Sequence, residues 1–161
     1  MIEQRVKEYL EKKGFAGEIM TAKESTATVD LAARVLGVVP ERIAKTISFK
    51  LKNDTCVVIV SQGKGRIDNR KFKQYFQSKP RMLKQEEVLS YTGHPVGGVC
   101  PFALKEEVQI YLDINLQEFD TLFPAAGNDH SMIEVTPEEL LRLTGGQWID
   151  VCTSQAGGDN D

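Results

Sequence analysis

The sequence predicts a single α+β domain, with helices arranged around a mixed sheet. Its 161 residues and its hydrophobic fraction of 41% suit one globular core. Apolar residues recur at helical spacing in some segments and alternate in others, and turn residues link successive β-rich segments. This interleaving favours a mixed sheet over a doubly wound parallel one. We assign the domain to residues 1–152 and expect the small, polar residues 153–161 to form a disordered tail.

Five helices are predicted from apolar spacing and from residues that cap helix ends. The first has its apolar residues on one face and ends near Gly14. The second begins after Thr28 as N-cap and ends at Gly37. Asp68 caps the third, and Thr136 opens the fifth with a capping box. In chain order the predicted helices cover residues 2–14, 29–36, 69–76, 85–90 and 137–143.

Strands are predicted where β-branched residues cluster or alternate with polar ones. The segments Ile43–Leu51 and Cys56–Ser61 flank a short polar turn, which predicts a β-hairpin. Shorter strands are expected at residues 18–21, 108–112, 122–123 and 132–135.

Charge is distributed unevenly along the chain. The net charge is -3, which by itself argues against a nucleic-acid partner. However, residues 45–84 carry 11 Lys/Arg and only two Asp, whereas residues 85–161 carry two Lys/Arg and 14 Asp/Glu. The basic block is a candidate surface for phosphate groups, and the alternative is a solvated helix and strand edge.

The cysteines and histidines do not form a recognisable framework. Cys56, Cys100 and Cys152 are widely spaced and form no C-x-x-C pair, so neither a disulfide scaffold nor a zinc knuckle is indicated. His94 and His130 add no metal spacing. We expect no signal peptide, because the first residues carry mixed charge and no apolar region follows them. No apolar run of the sequence approaches the ~20 residues of a membrane span. We expect a cytoplasmic protein with reduced thiols and with no metal, cofactor or membrane partner.

Lys45 stands out because it lies in a β-rich segment between Ile43 and Ile47. Lysine is rarely buried unless it is paired, so a lysine on an apolar strand face often has a function. Its ammonium group could hold a phosphate, a carboxylate or a carbonyl oxygen. The alternative is an edge-strand lysine whose ammonium group reaches solvent.

The glycine-rich segment Gly97–Pro101 is the second candidate feature. Adjacent glycines allow a ligand to approach the backbone, and free amides there could bind an anion or an ester carbonyl. An ordinary turn is the alternative. Within the segment, Cys100 is a candidate nucleophile with His94 or His130 as base, or simply a small apolar residue.

Two further polar positions follow predicted strands. Asp113 could orient an amine or a hydroxyl, or could cap the segment that begins at Ile114. The residues at 128–130, Asn-Asp-His, could line a pocket or form a turn.

An ordered set of these segments resembles the YbaK-type family, which is related to the editing insertion domain of bacterial prolyl-tRNA synthetase. No single motif is specific, but their order over roughly residues 1–150 is. The resemblance implies a mixed, largely antiparallel sheet, curled into a partly closed barrel and surrounded by helices. The segments are Thr28–Ala33, Arg42–Ile47, Gly97–Phe102, Tyr111–Asp113 and Ala126–Gly127.

The same resemblance implies a trans-acting aminoacyl-tRNA deacylase. Such an enzyme hydrolyses the ester of a mischarged tRNA, here a small amino acid in tRNA(Pro)-type editing, by a substrate-assisted route. Lys45 matches the family's active-site lysine, and Gly97 and Pro101 match its G-x-x-x-P loop, which holds the terminal adenosine and the scissile ester. The expected catalytic residues are Lys45, Gly97, Gly98 and Asp113, and the expected substrate-binding residues are Thr28, Val99, Pro101, Gly127 and His130.

The implied partner is the acceptor end of mischarged tRNA, with an aminoacyl-tRNA synthetase left open as a second partner. Basic side chains would contact the phosphates of the acceptor stem. The chain departs from the family where many members have a second glycine after the one matching Gly127. The resemblance therefore does not identify the amino acid that is removed from the tRNA. The residues expected to bind tRNA are Lys64, Arg66, Arg70, Lys71 and Lys73.

Three other functions stay open at the level of sequence. A non-catalytic module could bind the tRNA end, and it would show salt-dependent binding without turnover. A hydrolase of small esters could use Cys100 as its nucleophile and ignore RNA. A protein-interaction domain could use the acidic C-terminal half.

Overall fold

The computed structural model describes residues 2–153, so the predicted tail at 153–161 lies outside it apart from Thr153. Within the described range, five helices surround a sheet with both antiparallel and parallel strand pairs, which confirms the α+β class. The helices are α1 (Ile2–Lys12), α2 (Val29–Leu36), α3 (Asn69–Phe76), α4 (Gln85–Thr92) and α5 (Pro137–Thr144). The strands are β1 (Met20–Thr21), β2 (Ile43–Lys50), β3 (Cys56–Gln62), β4 (Gln109–Asp113), β5 (Phe123–Pro124), β6 (Ser131–Met132) and β7 (Gln147–Ile149).

The five-stranded main sheet is mixed, with the strand order β5-β2-β3-β4-β7. Its longest pairing is the predicted antiparallel hairpin β2–β3, in which Lys45 lies opposite Ser61. The pairings β2–β5, β3–β4 and β4–β7 are parallel. A second sheet consists of β1 and β6, which are antiparallel. The main sheet is open, with β5 and β7 at its edges.

Apolar layers cover both faces of the main sheet. On one face Val60 and Leu112 pack with residues of α1 and α5 in the largest core cluster. On the other face Phe72 of α3 packs on Phe49, with ring centroids 5.1 Å apart. All seven residues of β3 are buried, which fits a central strand covered on both faces.

Local cap residues begin and end the helices as the sequence predicts. The Thr28 hydroxyl accepts a hydrogen bond from the amide of Leu31, and Gly37 ends α2 in the left-handed conformation. The Asp68 carboxylate caps α3, and Thr136 forms a capping box with Glu139 at the start of α5.

Several strand bounds differ from the prediction. The strand predicted at 132–135 is only Ser131–Met132, and Val135 forms an isolated bridge to Leu122. The strand Gln147–Ile149 was not predicted, because three residues give no usable alternation. None of the helices in residues 2–153 has the length and apolar character that crossing a membrane requires.

A close approach positions α2 against the hairpin. A Cβ atom on Gly63 would overlap the carbonyl oxygen of Pro40 and the side chain of Val29. Because glycine lacks this atom, the end of β3 can pass directly beneath α2. Val29 is thereby held over the start of β2, and both line the same cavity.

Candidate active site

A cavity of about 230 Å³, which we call the main cavity, opens where the segment before α2 meets β2, β5 and β6. Its walls are largely apolar, with hydroxyl and amide groups at intervals. Among the described residues that line it, Lys45 alone carries a charge. The lining residues are Thr26–Val29, Ala32, Ile43–Thr46, Gly97, Val99, Phe123, Ala125, Asn128, Ser131 and Met132.

Backbone pairing between distant parts of the chain builds this cavity. Ile43 pairs with Phe123 in the β2–β5 ladder, and Met20 pairs with Met132 in the small sheet. The segment before α2 is fixed by the Thr26 amide, which donates to the carbonyl of Asp129 at 2.6 Å. One side of the cavity is therefore attached to the other by main-chain hydrogen bonds.

Lys45 lies at the edge of the cavity in a half-buried position. Its ammonium group donates a hydrogen bond of 2.7 Å to the carbonyl of Gly65. Burial lowers the pKa of Lys45 below its usual value; Cys152 opposes this shift, and the charges of Arg66 and Lys64 add to it. An ammonium group has three N–H donors and no hydrogen-bond acceptor. One donor is bonded to the Gly65 carbonyl, so two remain for a ligand.

Gly97 and Val99 line the cavity, as the sequence predicts for a ligand-binding loop. Gly97 adopts φ +84°, and no backbone carbonyl of the described residues accepts from the amides of Gly97 or Val99. Gly98 differs from its neighbours. It is buried outside the lining, and its amide donates to the carbonyl of Pro95 at 3.0 Å. The loop thus offers two uncommitted amide donors, not three.

Cys100 is fully buried behind this loop and does not line the cavity. Burial raises the pKa of its thiol to about 12, so the thiol stays protonated at neutral pH. The Nε2 atom of His94 lies 2.7 Å from the carbonyl of Phe102, which makes Nε2 a donor. Burial also lowers the pKa of His94. Nε2 lies 3.7 Å from Sγ of Cys100, but as a donor it cannot also accept the thiol proton. This arrangement argues against the cysteine-nucleophile alternative.

Asp113 occupies the capping position that the sequence left as its alternative role. The side chain is fully buried, and it accepts hydrogen bonds from the amide and the side chain of Asn115. Burial raises the pKa of the Asp113 carboxyl, and hydrogen bonds from Asn115 and Cys152 oppose this shift. Asp113 does not line the cavity.

The predicted substrate-binding residues lie in three different places. Thr28 and Val99 line the cavity, although the Thr28 hydroxyl also caps α2. Pro101 and Gly127 are buried outside the lining. His130 lines a neighbouring cavity between α1 and β1, of about 590 Å³, with which the first cavity shares Asn128 and Ser131.

Gly127 has a packing role that the sequence did not reveal. It adopts φ +108°, and a Cβ atom there would lie 3.0 Å from the Val6 side chain of α1. The glycine therefore lets α1 approach the chain just before Asn128, which lines both cavities.

Folding divides the basic block into paired and unpaired side chains. Lys64 and Arg66 lie close enough to Lys45 to influence its pKa, and Lys64 forms an exposed ion pair with Asp30 at 3.3 Å. Lys71 pairs with Asp150 at 3.0 Å, an acidic residue of the C-terminal half. Arg70 and Lys73 are exposed on α3 without an ion pair to the described residues. A basic surface therefore survives folding, but smaller than the sequence block.

Several lining residues had no sequence signal. Thr26, Phe123 and the pair Ser131–Met132 lie in three separate segments of the chain. Strand pairing positions the last two, and a main-chain hydrogen bond to Asp129 positions Thr26. In residues 2–153, no three histidine, cysteine, aspartate or glutamate side chains come together as a metal-binding group.

The chain is similar to proteins connected with the correction of mischarged tRNA. The family model of the aminoacyl-tRNA editing domain matches residues 23–143. The uncharacterized protein YwhH of Bacillus subtilis (strain 168) is 46% identical over 136 residues, which are 84% of this chain and 87% of YwhH. EbsC of Enterococcus faecalis, named as a candidate Cys-tRNA(Pro)/Cys-tRNA(Cys) deacylase, is 30% identical over 133 residues, 82% of this chain and 81% of EbsC.

A solved structure shares the fold over nearly the whole chain. It is the crystal structure of a candidate trans-editing enzyme for prolyl-tRNA synthetase, and it superposes with a TM-score of 0.85 at 30% identity. The match covers 94% of this chain and 96% of the other.

Proposed function

The chain belongs to the aminoacyl-tRNA editing domain family and is an aminoacyl-tRNA deacylase, and from that premise we propose that it removes a small amino acid from mischarged tRNA(Pro). The observation that carries the proposal is the cavity of about 230 Å³. Among the residues that the structure describes, Lys45 is its one charged lining residue, and the amides of Gly97 and Val99 are uncommitted. The names of EbsC and of the similar solved structure support the tRNA(Pro) assignment.

The cavity favours a small amino acid because of its size and its walls. Val29, Ile43, Phe123 and Met132 present apolar surface. A wall of this kind excludes large side chains sterically but rejects slightly smaller ones only weakly. That behaviour suits a second sieve, which removes small amino acids that a synthetase has attached in error.

Ester hydrolysis requires a nucleophile and stabilisation of the oxyanion that forms at the carbonyl. We assign the oxyanion to the ammonium group of Lys45 and to the amides of Gly97 and Val99. Electrostatic stabilisation of this kind supplies much of the rate enhancement in many acyl-transfer enzymes. Gly98, expected from the sequence to contribute, is left out because its amide is bonded to Pro95.

In the proposed mechanism, the substrate either supplies the nucleophile or assists the attack of water. The described lining residues include no carboxylate, imidazole or thiol that could serve as nucleophile or base. With a cysteinyl ester, the substrate thiol attacks its own carbonyl carbon, the C–S bond forms, and the C–O bond to the ribose breaks. The thiol proton passes to the departing ribose oxygen, which leaves tRNA with a free 3′ end and a cyclic thioester. With other amino acids, a neighbouring ribose hydroxyl assists the attack of water.

The tRNA itself is bound through its backbone in this proposal. Lys64 and Arg66 lie near Lys45 and can contact phosphates close to the 3′ end, while Arg70 and Lys73 extend the basic surface along α3. The name of the similar solved structure also supports a proposal that a synthetase delivers the mischarged tRNA.

The test is deacylation of a panel of tRNA(Pro) charged with cysteine, alanine, serine or proline. We expect the wild type to hydrolyse at least one small-residue ester and to spare the prolyl ester, and Lys45→Ala to lose most of this activity. Lys12→Ala, an exposed change on α1, is the matched control. Inactivity of the wild type on every ester would overturn the proposal. Equal rates for cysteine and serine esters would overturn the thiol route alone.

A further inference from the structure

Another cavity, of about 330 Å³, lies at the far end of the hairpin β2–β3 and is surrounded by positive charge. Its lining consists of Ser78 and four cations: Lys52, Lys73, Lys79 and Arg81. We call these four residues the distal cation cluster. Only Lys73 was expected from the sequence to bind tRNA.

None of the four cations forms an ion pair with a carboxylate among residues 2–153. The nearby cation Lys50 differs, because it is neutralised by Glu87 at 2.6 Å. Like charges that converge without a counterion repel one another, and a bound anion removes this repulsion. The cluster therefore has the composition of an anion site, and its lining contains no acidic side chain that would oppose one.

Backbone contacts fix the position of this cluster relative to the active site. The amide of Lys50, at the end of β2, donates to the carbonyl of Arg81 at 2.9 Å. Lys45 lies five residues earlier in the same strand. Since a strand rises ~3.3 Å per residue, Arg81 is held roughly 17 Å from the Lys45 position. Helix α3 follows the same direction, from its cap beside Val151 to Lys73 near the cluster.

This spacing corresponds to a short length of nucleic acid. Along one strand of double-stranded DNA the phosphates advance about 3.4 Å per nucleotide. With the same advance for the RNA strand, roughly 17 Å spans about five nucleotides. In a tRNA, that distance from the 3′ end reaches the point where the single-stranded end joins the paired acceptor stem.

We propose that the distal cation cluster binds backbone phosphates of the tRNA acceptor stem, about five nucleotides from the esterified 3′ end. The inference rests on the proposed function, because it assumes that the esterified end lies in the cavity beside Lys45. The cluster supplies affinity and register but no base specificity, as phosphate contacts do. It also sets a measuring length, because one RNA must reach the cluster and the active site together.

The experiment compares two RNAs and two double variants. The RNAs are an acceptor-stem minihelix without an attached amino acid and the trinucleotide CCA. Binding of each RNA is measured by fluorescence anisotropy over a range of salt concentrations. Lys52→Gln/Lys79→Gln removes two charges from the cluster. Lys12→Gln/Lys13→Gln removes two exposed charges, one from the end of α1 and one just after it, and is the matched control. Urea unfolding of each variant establishes that it is folded.

We expect the cluster variant to bind the minihelix about tenfold more weakly and to lower the salt slope by about two, since each phosphate contact contributes close to one. CCA binding should be unchanged, and the control should match the wild type on both RNAs. Wild-type affinity and slope in the cluster variant would overturn the inference. So would an equal loss on CCA, because the effect would then lie at the active site.

Because neither RNA carries an esterified amino acid, this result does not depend on catalysis. A wild type that binds the minihelix through the cluster but hydrolyses no ester would refute the proposed function and support the cluster. A wild type that hydrolyses esters, but whose RNA binding does not depend on the cluster, would support the proposed function and refute the cluster.

Discussion

The ammonium group of Lys45 donates a hydrogen bond of 2.7 Å to the backbone carbonyl of Gly65. This contact fixes the side chain at the edge of the main cavity without neutralising its charge. Ser61, directly opposite Lys45 in the hairpin, is buried, and its hydroxyl has no hydrogen-bond partner in residues 2–153. Lys45 therefore carries its charge in a half-buried environment, with a carbonyl oxygen as its acceptor and without an ion pair to a carboxylate of residues 2–153.

The first prediction separates the catalytic role of Lys45 from a structural one. Lys45→Met should lower kcat/KM for the mischarged tRNA by at least about a hundredfold, as loss of an oxyanion donor does. The free energy of unfolding at neutral pH should stay within about 1 kcal/mol of the wild type, because relief of the desolvation cost offsets the lost hydrogen bond to Gly65. Urea unfolding and deacylation rates measure the two effects. Parallel losses of activity and stability would make Lys45 a structural residue.

The second prediction concerns the buried thiol of Cys100. Cys100→Ala should retain deacylase activity within a few-fold of the wild type, because the thiol lies outside the cavity lining and stays protonated. Native protein should also keep its activity after iodoacetamide treatment at neutral pH. Inactivation in step with alkylation of Cys100, with the fold intact, would restore the cysteine-nucleophile mechanism.

The same thiol predicts a loss of stability in alkaline solution. The folded-state pKa of Cys100 is raised by burial from 9.0 to about 12, so above pH 9.0 the unfolded chain loses a proton that the folded chain keeps. The stabilisation is complete below pH 9.0 and disappears as the pH rises towards 12. At about pH 10.5 the loss from this group is roughly 2 kcal/mol.

Cys100→Ala isolates this contribution, because burial also raises the pKa of Cys56, to about 11. Urea unfolding of the wild type and of the variant at pH 7 and about pH 10.5 provides the measurement. The stability difference between the two proteins should shrink by roughly 2 kcal/mol at the higher pH. A constant difference would mean that Cys100 does not carry the linkage.

The helices could be predicted from the sequence because their ends depend on neighbouring residues. The cap bonds made by Thr28, Asp68 and Thr136 each reach a backbone amide two or three residues ahead. The hairpin β2–β3 was predictable for the same reason, since its turn lies between its two strands.

The cavity walls were less predictable because they depend on contacts between distant segments. Met20 pairs with Met132, and Ile43 pairs with Phe123. Nothing in the local pattern of either segment specifies its partner, and a strand of two residues leaves almost no periodic signal. Lys45 could be identified because its apolar neighbours in sequence made a charged residue conspicuous.

Burial favours a structural role for Asp113 and Cys100, where residue spacing left a chemical and a structural role open. Both are polar residues near the predicted site, and sequence alone did not decide between a chemical and a structural role. The structure buries both completely and bonds the Asp113 carboxylate to Asn115. Likewise, the ion pairs Lys64–Asp30 and Lys71–Asp150 join charges that are far apart in sequence, which reduces the basic block.

The final prediction tests the size of the main cavity as the determinant of substrate choice. Ala125 lines the cavity and is only partly buried, so Ala125→Leu adds three carbon atoms where the amino-acid side chain is expected. Overpacking should cost about 1–3 kcal/mol of stability and leave the protein folded. Hydrolysis of the larger accepted esters should fall at least about tenfold, with a smaller effect on alanyl ester, because a filled cavity discriminates by volume. Ala16→Leu, at an exposed position outside this cavity, is the control and should change neither activity nor preference. An equal loss on every ester in Ala125→Leu would show that the substituted side chain blocks the ribose or the ester, and that the amino-acid side chain lies elsewhere.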